Sequence, residues 1–89
     1  MSPKCWIDLF DLPEFQGGRR RYFGPARLDA EILGLRNADG VSVRVGTEAA
    51  LCIELSGGGA TTLHGGQTLH TLDTTQIRML DVRPEQQSC

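Results

Sequence analysis

Apolar and polar positions alternate in short runs divided by glycine, a pattern that predicts strands. Val41-Ser42-Val43-Arg44-Val45 keeps strict period two, with valines on one face, and Gly46 closes it. Residues 5–10 alternate around Trp6 and Ile7 until Pro13 breaks the run, and residues 19–23 follow the Gly17-Gly18 pair as a hairpin partner. Residues 50–55 read as a strand ended by Ser56-Gly57-Gly58-Gly59, residues 61–64 as a short strand before Gly65-Gly66, and residues 77–82 as a strand before Pro84. Residues 26–35 break the pattern. Leu28, Ile32, Leu33 and Leu35, with Ala30 and Glu31 favouring a helical turn, predict a loop with at most one short helix laid on the core. The expected core or core edge is Trp6, Ile7, Leu9, Val43, Val45, Ile53, Leu55, Leu63 and Leu80.

The two halves repeat faintly. Ile7-Asp8-Leu9 aligns with Ile53-Glu54-Leu55, Phe23-Gly24-Pro25 with His64-Gly65-Gly66, and Val43-Arg44-Val45 with Leu80-Asp81-Val82. A duplication of about 40 residues means two similar supersecondary units sharing one core, the plan of an all-β, two-motif Greek-key sandwich.

Composition narrows the class. The 89 residues allow one domain with a modest core, and 39% hydrophobic against 22% charged residues is too apolar for disorder. A net charge of −2 provides no global field toward nucleic acid or an anionic membrane, so neither is an expected partner. No run approaches the ~20 apolar residues of a membrane span, and residues 1–4 lead straight into patterned sequence, so a cytoplasmic protein is expected. Cys5, Cys52 and Cys89 lack metal-ligand spacing. Cys5 and Cys52 read as small buried hydrophobes, with a Cys5–Cys52 bridge as the oxidising alternative, and Cys89 sits at the chain end.

The most specific segment is Phe10-Asp11-Leu12-Pro13-Glu14-Phe15-Gln16-Gly17. It resembles the βγ-crystallin signature: an aromatic, four residues, a second aromatic, any residue, then glycine. In that motif a hairpin folds back on its sheet, two rings meet at the corner, and the glycine takes a positive φ. Ser42-Val43-Arg44-Val45-Gly46 is similar to the family strand that closes each Greek key, with the serine tied to the folded hairpin. The structural signature implied is therefore Phe10, Phe15, Gly17 and Ser42. The resemblance covers residues 5–83, with motif one at about 5–45, motif two at about 46–83, a lead at 1–4 and a flexible tail at 84–89. It is weak in motif two, where Ser56-Gly57-Gly58-Gly59 replaces the aromatic corner.

Many microbial members of the family bind calcium through a stretch written N/D-N/D-x-x-S/T-S in each motif, with side-chain oxygens at the second and fifth positions. Calcium wants six to eight oxygen ligands. Anchored on Ser42, the first stretch places Ala38 second and Val41 fifth; anchored on Leu80, the second places Thr75 second and Arg78 fifth. A one-residue slip would put Asp39 second and Ser42 fifth, and the resemblance makes the Asp11 carbonyl the donor from the opposite loop. Asp11, Asp39 and Ser42 are thus the calcium candidates. No cofactor is required, and Ca2+ binding is expected to be weak or lost.

Other constellations are plainer. In a strand at most two of Arg19, Arg20 and Arg21 share a face, so the triplet reads as a solvated edge strand. His64 and His70, without a third ligand, read as surface residues. Ser42, Ser56 and the cysteines are the nucleophile candidates, but no catalytic motif surrounds them, and no enzyme is expected. The resemblance therefore implies a non-enzymatic structural or interaction module, partnered by itself or another crystallin-like domain. The alternatives are a calcium-stabilised module and a secreted inhibitor or toxin of the same fold.

Overall fold

The computed structural model describes residues 5–31, 33–34 and 40–87. Eight strands run in chain order: β1 (Trp6–Leu12), β2 (Gln16–Phe23), β3 (Ala26–Asp29), β4 (Val41–Val45), β5 (Ala49–Leu55), β6 (Ala60–Leu63), β7 (Thr68–Leu72) and β8 (Ile77–Pro84). They form two antiparallel sheets ordered β2-β1-β4-β7 and β3-β8-β5-β6. Each half of the chain supplies three strands to one sheet and lends its third strand, β3 or β7, to the edge of the other. Neither half completes a sheet alone.

The core follows from period-two alternation on the four central strands. Ile7 and Leu9 of β1 and Val43 and Val45 of β4 face Leu51 and Ile53 of β5 and Leu80 and Val82 of β8, all buried. Each such side chain stabilises the fold by roughly 1.5–3 kcal/mol relative to exposure. Trp6 is only half-buried, because it lies on the opposite face of β1 from Ile7, and Leu55 and Leu63 are half-buried toward the sheet edge. Cys5 is a buried free thiol, so the Cys5–Cys52 bridge is not formed; Cys52 is buried on β5 and disulfide-bonded, and Cys89 lies outside the described residues.

Two local expectations are corrected. Ala26–Asp29 is a strand, not part of a loop or helix, because Ala26 and Leu28 pair with Val82 and Leu80 of β8. This tertiary pairing overrides the weak helical preference of the segment. Ile32 and Leu35 lie outside the described residues. Among the described residues the only helix is one 3-10 turn at Thr74–Gln76, capped by Asp73, whose carboxylate accepts from the Thr75 N–H at 2.9 Å. β7 was not anticipated, since Thr68-Leu69-His70-Thr71-Leu72 offers just two apolar residues and sits half-exposed.

The internal repeat is real but offset from the sequence alignment in its first strand. Ile7 pairs with Val45 as Leu51 pairs with Val82, so Ile7-Asp8-Leu9 corresponds to Leu51-Cys52-Ile53. A two-residue slip preserves the alternation of faces, which is why periodicity could not detect it. Phe23-Gly24 and His64-Gly65 do correspond, through Ile7↔Tyr22 and Leu51↔Leu63.

Gly24 shows how tightly the sheets close. A Cβ placed there would lie 2.8 Å from Val82 Cγ1, 2.9 Å from Cys5 Sγ and 3.0 Å from the Val82 carbonyl. Gly24→Ala is expected to destabilise the domain by about 1–3 kcal/mol through overpacking. Urea denaturation with unchanged slope and a lowered midpoint would show it; an unchanged midpoint would contradict the close approach.

Candidate functional site

β1 and β2 join in a hairpin that folds over the outer face of the first sheet. Glu14 and Phe15 at its tip adopt φ of 58° and 60°, and Gly17 follows at 77°. Such conformations in residues with a side chain persist only where surroundings impose them. Here they are imposed from two strands. The Ser42 hydroxyl on β4, fully buried, donates to the Leu12 carbonyl at 2.7 Å and accepts from the Phe15 N–H at 2.7 Å. On β7, the His70 carbonyl accepts from the Glu14 N–H at 2.9 Å.

Side chains complete the corner. The Phe10 and Phe15 rings meet edge to face with centroids 5.7 Å apart, and the His70 ring lies 5.0 Å from Phe15. His70 Nδ1 is 2.8 Å from the Glu14 carboxylate, and the Arg44 guanidinium sits 4.8 Å from the Phe15 ring centre. Glu14 and His70 are 56 residues apart, and no sequence signal links them.

Of the three calcium candidates, Asp11 and Ser42 are described, on adjoining strands, and Asp39 lies outside the described residues. Asp11 is exposed at the end of β1, with its carboxylate 3.3 Å from Arg20. Ser42 has both its donor and acceptor capacity engaged with the hairpin. Asn37, Ala38 and Asp39 lie outside the described residues, and Val41 is buried in the core. In the second stretch the Thr75 hydroxyl donates to Asp73 at 2.6 Å, and the Arg78 guanidinium reaches Glu54 at 3.1 Å. Asp29, Glu31, Ser56, Thr74, Thr75 and Arg78 line a groove of about 310 Å³ beside it. Among the described residues no three His, Cys, Asp or Glu side chains are grouped to hold a metal. His64 contacts Glu85 at 3.5 Å, far in role from His70.

A second feature was missed in the sequence. On the outer face of the first sheet Asp8 is buried beneath Arg21, which grips it through Nε at 2.7 Å and Nη2 at 3.0 Å, with Arg19 at 3.8 Å. The same guanidinium lies over the Trp6 ring at 3.9 Å. Hydrogen bonding to Asp8 raises the Arg21 pKa above its ordinary value, and Asp81 does the same for Arg83 on the second sheet. The cross-strand register Asp8↔Arg21 could have been inferred from the hairpin, once its turn was placed at Pro13 to Phe15.

No family model matches the chain, and no curated protein matches it. Among solved structures, one from work on the evolution of the eye lens βγ-crystallin domain fold superposes with a TM-score of 0.71. The two chains share 22% identity, over 93% of this chain and 89% of that one. The protein thus has the βγ-crystallin domain fold, in a β-sandwich of antiparallel sheets.

Two substitutions test the corner. Ser42→Ala leaves the Leu12 carbonyl and Phe15 N–H without their shared partner and is expected to cost about 1–3 kcal/mol. Gly17→Ala, at positive φ with Leu12 Cγ and Asp11 Cβ each 3.2 Å from the added carbon, is expected to cost more than ~1 kcal/mol. Thermal melts that superimpose on wild type would contradict each assignment.

Proposed function

We propose that this chain is a non-enzymatic structural or interaction module of the βγ-crystallin type whose calcium stretches no longer form useful sites. The observation that carries this is the second stretch, where Arg78 takes the position of an oxygen ligand and its guanidinium is paired with Glu54. A cation placed there would face another cation. Thr75, at the other ligand position, has its hydroxyl committed to Asp73. In the first stretch Val41 contributes an apolar, buried side chain, and Ser42 serves the hairpin. These residues do not fit a calcium ion.

The nucleophile candidates support the same conclusion about catalysis. Ser42 is sealed under the hairpin with its hydroxyl donating to a carbonyl, Cys5 is buried, and Ser56 is exposed on a hairpin tip. Nucleophilic catalysis needs a hydroxyl or thiol within reach of a base and of substrate. Neither buried candidate offers that access.

A calcium-stabilised module is the competing account, favoured by the groove that Asp29, Glu31 and Thr74 line. Linkage separates the two. A ligand at 100 times its dissociation constant adds about 2.7 kcal/mol, which in a domain this size raises the melting temperature by about 10 °C or more. Melting in 5 mM calcium and in chelator is expected to give coincident curves; a saturable rise with calcium would establish the competing account.

A further inference from the structure

The alternation of β2 suggested that its arginine triplet would be split between faces, and it is: Arg19 and Arg21 point outward while Arg20 turns to Asp11. The sheet then restores a third arginine from elsewhere. Arg44 of β4 lies opposite Asp8 of β1, which lies opposite Arg21 of β2, so all three side chains leave the same face. Trp6 and Phe23 face each other one step along the same surface, and Phe23 is 52% exposed. This face therefore carries three guanidinium groups, two of them paired with one buried carboxylate, on a chain whose net charge is negative. Glu14, at the hairpin tip beyond, is held by His70.

Two of these groups, Arg21 and Arg44, are held by neighbours. Arg21 is gripped at two nitrogens by Asp8 and lies over the Trp6 ring, with about a third of its side chain exposed. Phe23 adds an exposed ring beside it. Arg19 has only a 3.8 Å approach to a carboxylate that Arg21 already occupies, and Arg44 rests against the Phe15 ring. Planar π surfaces and guanidinium planes accept unpaired bases by stacking, and the neighbouring arginines meet phosphates. Outward residues on one strand recur every ~6.6 Å, so Phe23, Arg21 and Arg19 form a row along which an extended strand can run.

We infer that the outer face of the β2-β1-β4-β7 sheet binds single-stranded nucleic acid, with bases stacked on Phe23 and the Arg21–Trp6 pair and phosphates contacted by Arg19 and Arg44. This replaces the expectation, drawn from net charge, that nucleic acid is no partner; it deepens the proposal of an interaction module by naming a partner class, and it uses no residue of the calcium stretches. A negative result here leaves that proposal standing, and a calcium-dependent melt leaves this one standing.

The test is titration of the full chain with a fluorescein-labelled 12-mer of thymidine at about 50 mM salt, read by anisotropy and by quenching of Trp6, the single tryptophan. Binding is expected with a Kd on the order of 1–100 µM. Phe23→Ala is expected to weaken it about fivefold or more. The pair Arg19→Gln and Arg44→Gln is expected to flatten the slope of log affinity against log salt by roughly 1.4. Arg27→Gln, on the opposite sheet, leaves both unchanged, and melting curves verify that each exposed substitution folds. No binding at 200 µM protein overturns the inference, as does binding that these substitutions do not alter. Equal affinity for duplex DNA or for polyglutamate also overturns it, the latter pointing to an acidic protein surface. A dimer in sedimentation that Phe23→Ala dissolves would assign the face to a second copy instead.

Discussion

One buried hydroxyl and one backbone bond hold the β1–β2 hairpin folded over its sheet. The Ser42 hydroxyl fastens the β1–β2 hairpin to β4 within the first motif, and the Glu14 N–H fastens the same hairpin to β7, which belongs to the second. β7 is the strand the second motif lends, so the hairpin corner sits across the exchange that joins the sheets. The left-handed backbone of Glu14, Phe15 and Gly17 is tolerated because these contacts act together. The Phe10–Phe15 contact adds ring packing worth roughly 0.5–1.5 kcal/mol beyond its burial. The second motif has no equivalent: Glu54 stands where Phe10 does, Met79 where Ser42 does, and glycines 58 and 59 shorten the tip.

Outside the core, the two sheets place charge in similar ways. Each buries one outward carboxylate, Asp8 or Asp81, under arginines that satisfy it. A buried carboxylate without such partners would be strongly destabilising. On the second sheet Arg27, Arg78 and Arg83 are drawn to Glu54 and Asp81. On the first, Arg19 and Arg21 share Asp8, Arg44 rests against Phe15, and Arg21 lies over Trp6.

Much of the architecture was legible in the residues, and the failures have physical causes. Period two in Val41–Val45 and in β1 identified the central strands and their inward faces. It could not distinguish alignments that differ by two residues, so Ile7 was matched to Ile53 when the sheet matches it to Leu51. Ala26–Asp29 carries helix-tolerant residues that only pairing with β8 makes extended. β7 was invisible because half-exposed edge strands need few apolar side chains. The corner aromatics were visible as a spaced motif, but Glu14 against His70 and Arg44 against Phe15 are products of strand order. The Trp6–Arg21–Asp8 stack is local to one hairpin and needed only the correct register.

The central claim is that the exposed hairpin tip is held by the sheet beneath it and does not move as a free loop. Native-state hydrogen exchange at the Glu14 and Phe15 amides tests this most directly, since exchange reports local opening residue by residue. Protection comparable to that of the amides in β1 and β4 is the predicted result. Exchange at the rate of an unstructured peptide would mean that neither Ser42 nor His70 secures the corner, and the account of how the hairpin is held would be wrong.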